Sequence, residues 1–284
     1  MLFTPAVSSV GHWFKKRRAF ATGVACTAGG SGGVFFPLIV TYLAPRIGFG
    51  WTIRVIGLIY AVACIIACLL LRKRLPPNKK KGASIDLKAL KDVNYALTTL
   101  AVFLIEFAVF IPYQYIPAYA IHVGMSADRA YRLSTLLNAG AIPGRALPGY
   151  VADRFGAFNT MCGTSLTCCV FIFALWLTAG ANEAAITAFA IIFGFWSGAA
   201  ISLTPVCVAS VCKIEDYGKR NGTTFAISSF GALVGIPIAG ALLQTNGGGY
   251  WSLIVFSGAS YFAAFLAFLA TRVVAGGWSW KVFF

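Results

Sequence analysis

The chain is short of most things that soluble chemistry uses. Only 8 of its 284 residues are acidic, 2 are histidine and 11% are charged, whereas ordinary soluble domains carry about 25% charged residues. His12 and His122 lie far from any cysteine cluster, which leaves no convergent set of metal ligands. There is no HExxH pair and no nucleophile elbow, so an embedded enzyme lacks its usual parts. The net charge of +15 invites a nucleic-acid reading. No stretch interleaves basic and aromatic side chains as such a platform requires, which excludes it. A cleavable signal peptide is also missing. Residues 1–14, MLFTPAVSSVGHWF, have no basic start and are too short to span a bilayer, so they read as the tail of something longer. The eight cysteines form no CxxC pair. Seven lie in or at the ends of apolar segments and read as reduced packing residues; Cys212 borders a basic loop.

What is present is apolar. Hydrophobic residues make up 59% of the chain and the mean hydropathy is +0.80. A membrane helix needs about 20 mostly apolar residues. Eight continuous runs meet that length, at 19–43, 51–71, 94–120, 131–151, 158–179, 184–211, 222–243 and 250–271. Long unbroken runs predict helices, not barrel strands. Short loops orient the chain by their Lys and Arg content. One side carries only Arg46, Arg54, Arg129 and Arg132; every other Lys and Arg except Arg145 falls on the opposite side. Both termini are therefore expected in the cytoplasm. The sequon Asn221-Gly222-Thr223 falls on that side and is expected to stay unmodified.

Residues 72–92, RKRLPPNKKKGASIDLKALKD, form the longest polar stretch and read as a basic, solvated cytoplasmic linker that can attract anionic headgroups. The stretch from Ser84 to Asp92 has the pattern of a short amphipathic helix. Residues 17–51 and 219–251 resemble each other. Each opens on a basic pair, continues as a Gly- and Ser-rich segment with one proline, and closes on a Gly loop and a Trp. The proline lies 19 residues after Arg18 and 17 after Arg220, and the Trp 33 and 31 residues after them, so one offset explains both spacings. Parallel internal repeats of this kind are built into some transporter folds. If the two halves match, four spans are missing before Met1. The chain then divides into 1–71, a stub and two spans closing an N-terminal half; 72–92, the linker; and 93–284, a C-terminal six-helix half.

Two formally charged residues lie deep in the spans, Glu106 and Arg145. A charge at the bilayer centre costs about 3 kcal/mol or more on insertion scales and usually faces a cavity or a partner. At a rise of about 1.5 Å per residue, Arg145 lies about 12 Å from the helix end at Asp153, and Glu106 about 18 Å from Asn94. The heights are close enough for the two to meet if their helices are neighbours. Arg145 reads either as an anion-binding residue or as a structural tie to backbone carbonyls. Glu106 reads either as a packing residue or as a proton-responsive acid. Asn138 lies two helical turns from Arg145 and should face the same cavity. Tyr113 and Gln114, between Pro112 and Pro117, are further candidates for substrate contact, where the prolines bend the helix and free carbonyls. The turn Gly149, Asp153, Arg154 and Gly156 reads as a conformational latch between helix ends. Gly29/Gly33, Gly140/Gly144, Gly194/Gly198 and Gly231/Gly235 have the spacing of close helix contacts.

Three stretches carry a family resemblance: WFKKRRAFATGVACTAGGSGG, IPYQYIPAYA and LNAGAIPGRALPGYVADRFGAFN. Through them the chain resembles the major facilitator superfamily, and more narrowly its fungal monocarboxylate-transporter-like branch. The resemblance implies an all-α membrane fold of twelve spans, of which spans five to twelve are present here, and alternating access without a cofactor. Arg145 falls where animal members carry an essential Arg. Their proton-linked acid, four residues earlier, corresponds to Ala141, so lactate–proton symport does not carry over. Fungal members include a riboflavin transporter. The expected function is secondary transport of a small organic acid or related metabolite, with protons as a candidate co-substrate, at the plasma membrane or, next, the vacuolar membrane. A truncated remnant that does not transport, and a ligand sensor, are the alternatives.

Overall fold

In the computed structural model, residues 3–72 and 85–277 are described. They form nine α-helices: α1 (Phe3–Trp13), α2 (Arg18–Ile47), α3 (Phe49–Leu70), α4 (Val93–His122), α5 (Ala127–Phe155), α6 (Ala157–Phe171), α7 (Glu183–Ser210), α8 (Tyr217–Thr245) and α9 (Trp251–Gly276). A 3-10 turn, Leu87–Lys91, leads into α4, and a π-helical turn, Ile172–Trp176, extends α6. Helices follow from the apolar runs, because in lipid a backbone must satisfy its own polar groups. Breaks fall where the chain can reverse at glycine. Gly48 ends α2 at φ 81° and Gly156 ends α5 at φ 93°, a region that side chains avoid.

Seven helices are long and apolar enough to cross a membrane: α2, α3, α4, α6 with its π turn, α7, α8 and α9. α5 is not, because Asp128, Arg129, Arg132, Arg145, Asp153 and Arg154 dilute it. It is nevertheless 29 residues long and packs along both α2 and α7. The eighth expected span therefore rests on packing, not on hydropathy. α4 lies against α8 and α9, and α6 against α7 and α9. A fully buried aromatic column runs between them. Trp176 and Phe189 stack at 5.3 Å, as do Phe189 and Phe193, and Phe193 meets Tyr261 edge-on at 5.9 Å. Lipid tails are as apolar as Leu, so close packing rather than the hydrophobic effect holds such helices together. The glycine pairs supply it. A Cβ on Gly140 or Gly144 would strike the α7 backbone, one on Gly194 or Gly198 the α5 backbone, and one on Gly231 or Gly235 the α4 backbone.

Several expectations change. Within the first 14 residues, Phe3–Trp13 form a helix, which the sequence reading did not foresee. α1 packs on α2 and α8, where Asn221 Nδ2 donates to Ser8 Oγ at 3.1 Å. Asn221 is fully buried, which removes the sequon's acceptor from the surface in this fold. Of the linker, 73–84 lie outside the described residues, including Ser84. The helix expected up to Asp92 is the 3-10 turn Leu87–Lys91; most of its residues are exposed, and its flanks are also tied to α8. Lys219 pairs with Asp86 and Arg220 with Asp92, both at 3.6 Å, while the Asp86 N–H donates to Thr223 Oγ1 at 2.9 Å. Cys64 and Cys68 are exposed on α3, not buried, because among the described residues α3 packs chiefly along α2. The repeat reappears as architecture: α2 with Pro37 then α3 after Gly48, and α8 with Pro237 then α9 after Gly247–Gly249.

Candidate functional site

Arg145 lies within α5, nearer its C-terminal end, and is 8% exposed. Its Nη1 donates to the carbonyl of Cys26 on α2 at 2.7 Å, and Gly29, one turn on, leaves room for the guanidinium. Any side chain at Gly29 would collide with that nitrogen. The Nε has no hydrogen-bond partner. The Tyr113 hydroxyl of α4 is within hydrogen-bonding reach of the guanidinium and lies 3.3 Å from Ser197 Oγ on α7. Ser202, also on α7, donates to the Arg145 backbone carbonyl at 3.1 Å. A half-satisfied cation thus sits where α2, α4, α5 and α7 converge, and among the described residues no acid pairs with it. A buried charge left this way is costly unless something neutralises it.

The other candidates separate. Asn138 is two turns from Arg145 on α5 and faces α2 at Gly33, where a Cβ would overlap the amide. Its Nδ2 donates to Ser134 O at 2.9 Å, which leaves the carbonyl oxygen free to accept. Gln114 is exposed and stands apart from this cluster. Glu106 is 8% exposed within α4. It does not meet Arg145; among the described residues it makes no ion pair or hydrogen bond, and its electrostatic neighbour is Tyr261 of α9. Height alone put Glu106 and Arg145 together, but Arg145 turns toward α2.

The latch residues work differently from an acid–base pair. Both oxygens of Asp153, in the last turn of α5, accept from the α2 N-terminus: Ala19 N–H and Phe20 N–H donate at 2.9 Å each. The first amides of a helix have no partner within it. α2 has no capping side chain of its own, since Arg17 stands at its N-cap and can only donate. Asp153 therefore caps α2 from another helix, with its charge at the positive end of the helix dipole. Gly149, one turn earlier, lets the backbones meet, because a Cβ there would lie 2.6 Å from the Ala19 oxygen. Arg154 does not pair with Asp153. Its guanidinium lies over the Tyr150 ring at 4.5 Å, and Tyr150 meets Phe20 edge-on. Gly156 ends α5 and opens α6.

One site was missed. Arg272, counted in a loop, lies inside α9 at 3% exposure, with its Nε donating to Asn159 Oδ1 on α6 and its Nη1 to Gly277 O. α9 runs five residues past the apolar segment, and nothing in hydropathy marks that extension.

A family model described as Major Facilitator Superfamily matches residues 1–213 and, in an overlapping second match, 133–278. The chain belongs to the Major Facilitator Superfamily. An "MFS-type transporter" of Gibberella moniliformis is 36% identical over 99% of this chain and 68% of its own length. The riboflavin transporter of Saccharomyces cerevisiae is 33% identical over 100% of this chain and 59% of its own. An aspyridones efflux protein of Emericella nidulans is 34% identical over 96% and 56%. The crystal structure of FucP, a superfamily transporter in its outward conformation, superposes with a TM-score of 0.75 at 16% identity, covering 95% of this chain and 72% of that one. The chain thus spans about two thirds or less of the length of the curated relatives it matches. These relatives are transporters, not enzymes, and the superfamily fold makes the chain an integral membrane protein.

Proposed function

We propose that the protein is a secondary transporter of a small organic acid or related metabolite, working by alternating access, with Arg145 as the residue that holds the substrate anion. The observation that carries this is the part-satisfied guanidinium: Nη1 on a carbonyl, Tyr113 within hydrogen-bonding reach, Nε unpartnered and, among the described residues, no acid paired with it. A carboxylate matches the fork of an Arg far better than a single carbonyl does, through two parallel charge-assisted bonds. An anion that takes Arg145 away from Cys26 O also removes a tie between α5 and α2. Substrate binding and helix release are then one event, which is what alternating access needs. Asn138 and Tyr113 supply polar contacts beside it, and Gln114 reaches the substrate only if the substrate is large. Glu106 is the candidate proton-responsive group, acting near Tyr261 rather than directly on Arg145.

In this reading, residues 1–71 and 93–284 belong to two halves that rock about the site, joined by 72–92. Asp153 closes the end of the molecule opposite to substrate entry, and both termini lie in the cytoplasm of a plasma-membrane protein. The names of the relatives support organic solutes as cargo, since riboflavin and aspyridones are what those proteins are named for. The test is uptake by cells expressing the full chain, over a panel of aliphatic and aromatic carboxylic acids. Arg145→Ala should abolish uptake of whichever acid the wild type takes up, with membrane expression intact. Near-normal uptake would defeat the assignment.

A further inference from the structure

A second basic site lies at the end of the bundle, away from Arg145. A cavity of about 270 Å³ opens between the α1–α2 link and the α5–α6 turn, lined by Lys15, Lys16, Arg18, Asp153 and, from α7, Val206 and Ser210. We propose that this cavity binds a phosphate group, presented in the membrane by the headgroup of an anionic phospholipid.

The charge balance of the wall carries the argument. Asp153 is its one acid, and both carboxylate oxygens are already engaged by Ala19 N–H and Phe20 N–H. Asp153 therefore does not neutralise the cations around it. Arg18 is partly engaged, its Nε donating to Phe14 O at 3.4 Å and its guanidinium lying 6.0 Å from the Tyr217 ring centroid. Lys15 and Lys16 make no ion pair or hydrogen bond among the described residues and are exposed. Two lysines and an arginine thus line the opening, and its one acidic side chain is already engaged by backbone amides. An ammonium is a compact point charge that suits a phosphate oxygen, and several such charges share its spread negative charge. The α2 helix begins at this wall, so the cavity sits at the end of a membrane helix, at headgroup level, where phospholipid phosphates are concentrated. The apolar part of the wall, Ala152, Ala157 and Val206, faces the same opening. The inference does not depend on the transport reading.

The experiment is native mass spectrometry of the purified full chain with phosphatidylserine added, repeated with inorganic phosphate as competitor. Each basic residue near a membrane surface contributes about 1 kcal/mol, which is about fivefold in affinity. Phosphatidylserine binding should fall about fivefold for each of Lys15→Gln, Lys16→Gln and Arg18→Gln. A control variant, Lys88→Gln with Lys91→Gln and Lys213→Gln, removes as much charge as the three cavity substitutions together, from exposed positions outside the cavity, and should bind as the wild type does. If inorganic phosphate displaces the lipid and its own binding shows the same Lys16 dependence, the site stands and its source is free phosphate. Binding unchanged by the cavity substitutions, or weakened equally by the control variant, overturns the proposal. Lys16→Gln alone, at an exposed position, decides the matter if a multiple variant fails to fold.

Discussion

Replacing Asp153 with Asn probes the helix contact most sharply, because it keeps size and removes charge. In the wild type two N–H groups at the start of α2 donate to the two carboxylate oxygens at 2.9 Å each. Hydrogen bonds to a charged acceptor contribute about 1.5–3 kcal/mol each. An Asn keeps one oxygen for one amide and turns a donor NH₂ toward the other. The substitution therefore loses one charge-assisted bond, weakens the second to a neutral one and removes a favourable helix-dipole term of about 0.3–1 kcal/mol. The sum is about 2–4 kcal/mol, with the larger figures applying where the site stays dry. At 1.36 kcal/mol per tenfold, opening of the first turn of α2 should rise about 30-fold to several hundredfold. Hydrogen exchange of the peptide containing Ala19 and Phe20 reads that opening directly. Exchange should accelerate there and stay unchanged in α9, which does not touch the contact. Unchanged exchange at the start of α2 in a folded Asp153→Asn protein would refute the capping argument.

Other consequences follow from the same contacts. Gly144→Val drives a branched side chain into the Phe195 backbone of α7; overpacking of this kind costs about 1–3 kcal/mol, and a lower melting temperature in detergent checks it. Gly29→Ala meets only the end of the Arg145 side chain, so the thermal midpoint should hold while affinity for the transported acid drops. Asp86→Asn with Asp92→Asn removes two partly exposed ion pairs and should change stability by less than about 1 kcal/mol each, measured by the same melting assay. Burial pushes the Cys212 thiol up to about 11, against the pull of Arg220 and Arg18. Since the thiolate is the reacting form, iodoacetamide should label Cys212 far more slowly at neutral pH than it labels a free thiol.

The sequence made the helices legible where composition alone decides them. α5 was found as the run 131–151 although its hydropathy is low, because all its charged residues except Arg145 sit near its two ends. α1 was not found, because 11 residues are too few for a span and their partner surface on α8 is distant in the chain. Arg145 was legible as a charge within a span. Its partner was not, because Cys26 contributes a backbone carbonyl, which no residue type announces. The latch shows the same limit. Asp153 stood out, but its partners are the backbone amides of Ala19 and Phe20, which no residue type announces, and Arg154 of the same turn stacks on Tyr150. The expected meeting of Glu106 and Arg145 failed because equal depth does not set the face of a helix.

The central claim is that Arg145 holds an organic anion. The direct measurement is equilibrium binding of a radiolabelled carboxylic acid, one taken up by cells expressing the full chain, to the purified protein, with Arg145→Ala and Arg145→Lys beside the wild type. Binding should disappear in the Ala variant and weaken at least tenfold in the Lys variant, which keeps the charge but lacks the fork, a loss of about 1.4 kcal/mol or more. Wild-type affinity in a folded Arg145→Ala protein would contradict the account.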